Sequence, residues 1–144
     1  MPHNGGMSDG GEERDLVSVR TSLLHALRSV GRRIASLTVE FDQIVEGSEL
    51  VNTDDEHDPE GATIAFERAQ VASLRADAIR QREGIERALR AVESGTYGTC
   101  AQCASVIGKE RLEAVPGTDR CVACAGAVRA RWAPGGFTSR SPAQ

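Results

Sequence analysis

The residues in this chain best suited to chemistry are its four cysteines, spaced Cys100-x2-Cys103-x17-Cys121-x2-Cys124. Two close pairs separated by 15–20 residues is a zinc-site spacing. A Cys-x2-Cys knuckle lets two thiolates grip one ion without backbone strain, and a second knuckle completes a tetrahedron with Zn–S near 2.3 Å. Four thiolates fill the coordination sphere, which leaves no place for a catalytic water and makes the site structural. The segment around them has too few apolar residues to fold alone, so the metal supplies folding energy. A rubredoxin-like iron site and a thiol redox switch are the other readings of the same spacing. His3, His25 and His57 lie outside this segment, so mixed Cys/His ligation is not indicated.

The second candidate is a run of acids. Glu46, Glu49, Asp54, Asp55, Glu56, Asp58 and Glu60 fall within fifteen residues that contain no Lys or Arg. Carboxylates held on a stiff support can approach a divalent cation or basic side chains at little ordering cost. The plainer reading is a solvated loop, in which Asp58 and Glu60 cap the helix that follows. The candidate tip residues are Asp54, Asp55, Asp58 and Glu60. His25 and His57 read as surface polar residues and Trp132 as packing beneath a final helix. No phosphate-binding glycine loop, nucleophile elbow or His-linked nucleophile is present, so an enzyme is not expected.

These groups must be positioned by long helices. In residues 14–46, Leu23, Leu27, Val30, Ile34, Leu37, Phe41 and Ile44 recur at alternating steps of 4 and 3, which is a coiled-coil seam. Gly47 is the expected stop. A second helix over 59–94 starts at Asp58-Pro59-Glu60, with Asp at the N-cap and Pro at N1, and stops at Gly95. Its seam reads Ile64, Val71, Leu74, Ala78, Ile85 and Val92, with Leu89 flanking and Glu67 and Gln81 in seam positions. At ~1.5 Å per residue each helix is roughly 50 Å long. Near-equal lengths and a short joint predict an antiparallel hairpin with the acids at its far tip.

The chain has 144 residues, 3% aromatic and 26% charged, with a formal net charge of -4. That composition suits a seam between helices better than a wide core with an enzyme cleft. The acidic balance counts against coating nucleic acid. The chain contains no apolar run long enough for a membrane span, and its N-terminal residues show no secretory leader pattern. Cytoplasmic location is therefore expected. The hairpin buries its own seam, so a monomer is expected.

Around the cysteines the chain resembles a known family. Tyr97-Gly98-Thr99-Cys100-Ala101-Gln102-Cys103, Ile107, Arg111-Leu112-Glu113-Ala114, Pro116 and Cys121-Val122-Ala123-Cys124 are similar to the four-cysteine zinc finger of the DksA/TraR family. The heptad hairpin with Asp58-Pro59 at its tip adds to the resemblance, which spans roughly residues 14–130. The resemblance implies a protein that binds bacterial RNA polymerase rather than DNA. In that family the finger and base sit at the rim of the secondary channel, and the coil carries the acidic tip toward the catalytic centre. The tip motif of the family is Asp-x-x-Asp-x-Ala; here Asp58 matches the first Asp, while Gly61 and Thr63 occupy the other two positions. Ala104 stands where a Gly usually follows the first knuckle. Positions that in the family help hold (p)ppGpp fall on Asp77, Gln81 and Gly84, none of them basic, so dependence on the alarmone is not expected.

The expected fold is mainly α: a long antiparallel coiled-coil hairpin, a small four-cysteine zinc finger and a short C-terminal helix. The expected boundaries are a disordered 1–13, the hairpin over 14–95 with its tip at 47–60, the finger and last helix over 96–133, and a disordered 134–144. The expected function is a zinc-binding transcription regulator acting on RNA polymerase. The alternative is a zinc-stabilised interaction module for another partner, such as the ribosome. Direct DNA binding through Arg120, Arg129 and Arg131 ranks below both.

Overall fold

The computed structural model describes residues 9–50 and 59–132, and within these the side chains of 15–50 and 60–127. Four helices follow in order: α1 (Asp9–Leu50), α2 (Pro59–Ser94), α3 (Lys109–Ala114) and α4 (Val122–Trp132). No named strand occurs among the described residues; one antiparallel bridge joins Thr99 to Val106. Helices α1 and α2 pack side by side as the expected hairpin.

The buried seam follows heptads. Leu23, Val30 and Leu37 are buried on α1, and Val71, Ala78 and Ile85 on α2, with Ala88 joining them near the base. Leu27, Ile34, Phe41 and Ile44 pack against this line from α1, and Leu89 and Val92 from α2. Burying one such aliphatic side chain is worth about 1.5–3 kcal/mol, so the repeat holds two long helices together without a globular core. The α1 seam is the one read from the sequence.

The α2 seam differs from the expected one. Leu74 is 38% exposed, and Glu67 and Gln81 are exposed. The intermediate steps instead fall on Arg75 and Arg82, half-buried, in the register that ends at Leu89. Val71, Ala78 and Ile85 keep the predicted face, and the seam leans toward Arg75 and Arg82 between them. The aliphatic stems of the two arginines serve as apolar cover, a use of arginine that a polar/apolar count does not register.

Helix ends also differ. Helix α1 begins at Asp9 and runs through Gly47 to Leu50. Gly47 is not among the glycines with positive φ, so the helix continues past it at a cost of only about 1 kcal/mol relative to Ala. Helix α4 starts at Val122, because the second cysteine knuckle opens the helix. The expected stop of α2 is the observed one. Gly95 takes φ 73°, its N–H donates to Val92 O, and the Thr96 N–H donates to Ala91 O, which caps the last carbonyls in a Schellman turn. No described helix is long and apolar enough to cross a membrane. The acids Asp54, Asp55 and Asp58 lie outside the described residues, as do the 1–8 and 134–144 ends. The side chain of Trp132 lies outside them too.

Candidate metal centre

The finger begins one turn after α2 ends. Gly98, at φ 84°, turns the chain, and its carbonyl accepts from the Ile107 N–H at 2.7 Å. Ile107 is almost fully buried and anchors the loop. The first knuckle closes on itself: Cys100 N–H donates to Ser105 O at 2.8 Å, and Ala104 N–H to Cys100 O at 2.9 Å. This closure places Ala104 at φ 59°, the left-handed region that favours glycine. The second knuckle sits at the start of α4, where the Ala125 N–H donates to Cys121 O at 3.0 Å.

The two knuckles bring all four sulfurs together. Cys100, Cys103, Cys121 and Cys124 have every Sγ within 4.8 Å of every other, and Cys103 Sγ lies 3.8 Å from Cys121 Sγ. A tetrahedron with arms of ~2.3 Å has edges of about 3.8 Å, so this cage fits one zinc ion. Cys100 is buried, Cys121 and Cys124 are half-buried, and Cys103 is exposed. Four sulfur ligands complete the shell, and the centre is structural.

The surroundings prepare the sulfurs unequally. Backbone N–H groups of the two knuckles bring the Cys100 thiol down to about 6. Cys103 is also lowered, chiefly by Ser105, whose Oγ lies 3.2 Å from Cys103 Sγ and donates to it once the sulfur is ionised. Cys124 is pushed up to about 12 by the crowding of the other sulfurs. A divalent cation offsets that crowding, which is why the four-sulfur cage and the ion form together.

The other residues of the finger signature support the cage. Arg111 on α3 donates from Nε to Arg120 O at 2.7 Å, tying α3 to the loop entering the second knuckle. Thr118 Oγ1 accepts from Arg120 N–H at 3.3 Å. Tyr97 donates its hydroxyl to Pro116 O at 3.3 Å, and burial raises its pKa. Leu112 packs close to Gly98.

The finger is also fastened to the hairpin at a point sequence reasoning passed over. Gly84 on α2 and Gly117 in the finger loop meet backbone to backbone. A Cβ on Gly117 would lie 2.8 Å from both Gly84 C and Ile85 N. Nearby, Arg87 on α2 faces Asp119 at 4.0 Å, and the Asp119 carbonyl accepts from Ala101 N–H in the first knuckle at 2.8 Å. The loop 116–120 therefore links zinc knuckle and coil. The only sequence cue was that both positions are glycine.

These features decide the class of the module. Residues 95–129 match the family described as prokaryotic dksA/traR C4-type zinc finger. The DksA-like character extends to the whole fold: the structure of transcription factor DksA2 from Pseudomonas aeruginosa superposes with a TM-score of 0.65 at 19% identity, covering 88% of this chain and 92% of that one. General stress protein 16O of Bacillus subtilis is 30% identical over 95 residues, 65% of this chain and 58% of its own length. An uncharacterized protein of Aquifex aeolicus is 46% identical over 41 residues, 28% of each chain. The chain thus spans less than two thirds of the length of the curated relatives it matches. Of the expected site residues, the four cysteines converge as predicted. Of the tip acids, only Glu60 is described, exposed in the first turn of α2.

Proposed function

We propose that this chain is a transcription regulator that binds bacterial RNA polymerase through its secondary channel, in the manner of DksA/TraR proteins. One observation carries the reading. A single unbroken helix of 36 residues runs from Pro59, beside the acidic segment, to Ser94, where the zinc finger begins. At ~1.5 Å per residue the helix spans roughly 54 Å, with Glu60 in its first turn and the metal-pinned base at its other end. A narrow rod of that length suits insertion into a channel, with the finger stopped at the rim and Asp54, Asp55, Asp58 and Glu60 presented to the catalytic centre. The protein acts in the cytoplasm, as a non-enzymatic regulator, without DNA contacts of its own. It acts without (p)ppGpp: at the family's alarmone positions Asp77 pairs with Arg80 and Gly84 is packed against Gly117.

The test is competition for purified core polymerase against a known secondary-channel factor, using wild type and an Asp58→Asn, Glu60→Gln variant. Competitive binding by both proteins, with loss of the transcriptional effect in the variant alone, supports the reading and assigns the acids to action at the catalytic centre. Absence of binding by folded, zinc-loaded protein refutes it and leaves an interaction module for another partner, such as the ribosome.

A further inference from the structure

The two edges of the hairpin carry opposite charge. One edge is a shallow groove lined by Glu40, Gln43 and Ile44 of α1 and Glu67, Gln70 and Val71 of α2. On α2, Glu67 and Arg68 lie on opposite flanks of the Val71–Ala78–Ile85 seam, by helical geometry. The other edge therefore carries Arg68, Arg75 and Arg82, one per heptad and ~10.5 Å apart along the axis.

This arginine row is poorly satisfied from within. Arg75 Nε and Arg82 Nε are buried without a hydrogen-bond partner among the described residues. Arg82 faces Glu86 at 3.8 Å, within reach of an ion pair but too far for a hydrogen bond. No ion pair holds Arg68 or Arg75 among the described residues. Beside the row, α1 presents Leu24, Thr38 and Val45, all half-buried, and the Thr38 hydroxyl donates to Ile34 O of its own helix at 2.8 Å. Ile79 of α2 lies between the arginines, also half-buried.

We propose that this edge docks an acidic amphipathic helix of the partner, laid along the hairpin as a third strand of the coil. This rests on the polymerase reading for the identity of the partner but not for its chemistry. A helix with carboxylates seven residues apart repeats at the same ~10.5 Å, so each can meet one arginine while its apolar face covers Leu24, Ile79 and Val45. Three cations in a single row, on a protein of net charge -4, match such a helix better than a nucleic-acid backbone, whose charges are much closer together. Guanidinium forks pair with carboxylates two bonds at a time, which fixes the register of the guest helix.

The test exploits the double nature of arginine. Methionine keeps an apolar stem over the seam and removes the charge, so an Arg68→Met, Arg75→Met, Arg82→Met protein retains the hairpin, checked by circular dichroism. The control is Arg32→Met, Arg33→Met, two exposed positions on α1 away from this edge. For zinc-loaded full chains binding core polymerase, the expected result is a loss of at least tenfold for the triple variant and less than twofold for the control. Equal binding by the triple variant and wild type overturns the proposal. Should wild type not bind polymerase at all, the functional reading fails on its own, and the edge is judged by nuclear magnetic resonance. The chain is titrated with a synthetic helical peptide bearing glutamates at seven-residue intervals. Shifts concentrated at Arg68, Arg75 and Arg82 uphold the docking surface, and their absence overturns it.

Discussion

Replacing Gly117 by Ala probes the joint between finger and coil. The added methyl would sit 2.8 Å from Gly84 C, 2.8 Å from Ile85 N and 3.3 Å from Gly84 O. Carbon contacts relax near 3.5–4.0 Å, so the loop or the helix must retreat by about 0.7 Å or more. All three obstructing atoms are helix backbone, which cannot rotate aside as a side chain would. The expected cost is that of overpacking a tight contact, about 1–3 kcal/mol. Gly84→Ala makes a useful contrast. Its Cβ meets Gly117 O at 3.0 Å, a milder clash, and Ala in a helix interior regains about 1 kcal/mol over Gly. The order of stability is therefore wild type, then Gly84→Ala close behind, then Gly117→Ala clearly lower. Urea denaturation with saturating zinc reads the free energies, and hydrogen exchange reads whether protection is lost in the finger and around Gly84. A Gly117→Ala protein within about 0.5 kcal/mol of wild type, with unchanged exchange, would refute a docked finger.

Three further outcomes follow from the packing and the metal centre. Leu23→Ala should cost about 3–5 kcal/mol, since Leu23 is fully buried, whereas Leu74→Ala should cost under about 1 kcal/mol; comparable losses in thermal or urea unfolding would contradict the observed seam. Ala104→Gly should relieve a left-handed strain of about 1–2 kcal/mol, less the added chain entropy of glycine, and raise stability by up to about 1 kcal/mol, measured by urea unfolding. Zinc affinity should weaken as pH falls. A thiol whose pKa is depressed in the folded protein, as Cys100 is to about 6 against an ordinary 9, contributes stability that is present above 9 and lost as pH drops through 6. Cys124, pushed up to about 12, still holds its proton at neutral pH, so zinc must displace it and affinity drops roughly tenfold per pH unit for that proton alone. Chelator competition at pH 6 and pH 8 checks this, and equal affinities would count against it.

How much of this was legible beforehand depended on the kind of signal. The four cysteines announce themselves because metal geometry fixes their spacing, and Leu23 to Ile44 announce a seam because every step is aliphatic or aromatic. Gly95 was readable because a positive φ is needed there. The α2 seam was misread at Leu74 because Arg75 and Arg82 are counted as polar by type, although half of each side chain is hydrocarbon. Gly47 misled in the opposite way, since a glycine that can end a helix need not do so. Gly84 against Gly117 was invisible, because a close approach between distant backbones leaves no local pattern. Ser105 beside Cys103 and Asp119 beside Arg87 were missed for the same reason: both depend on how the loops close.

The glycine joint has a mechanical consequence. Helix α2 is fixed to the finger at Gly84 and extends about 38 Å from there to Pro59. A tilt of one degree at that joint displaces the distant end by about 0.7 Å, and five degrees by about 3 Å. The finger thus works as the mounting of a long pointer, and the smallest residues in the contact set its aim. A change of one methyl group at Gly117, far from Glu60, should be read out at the opposite end as an error of position.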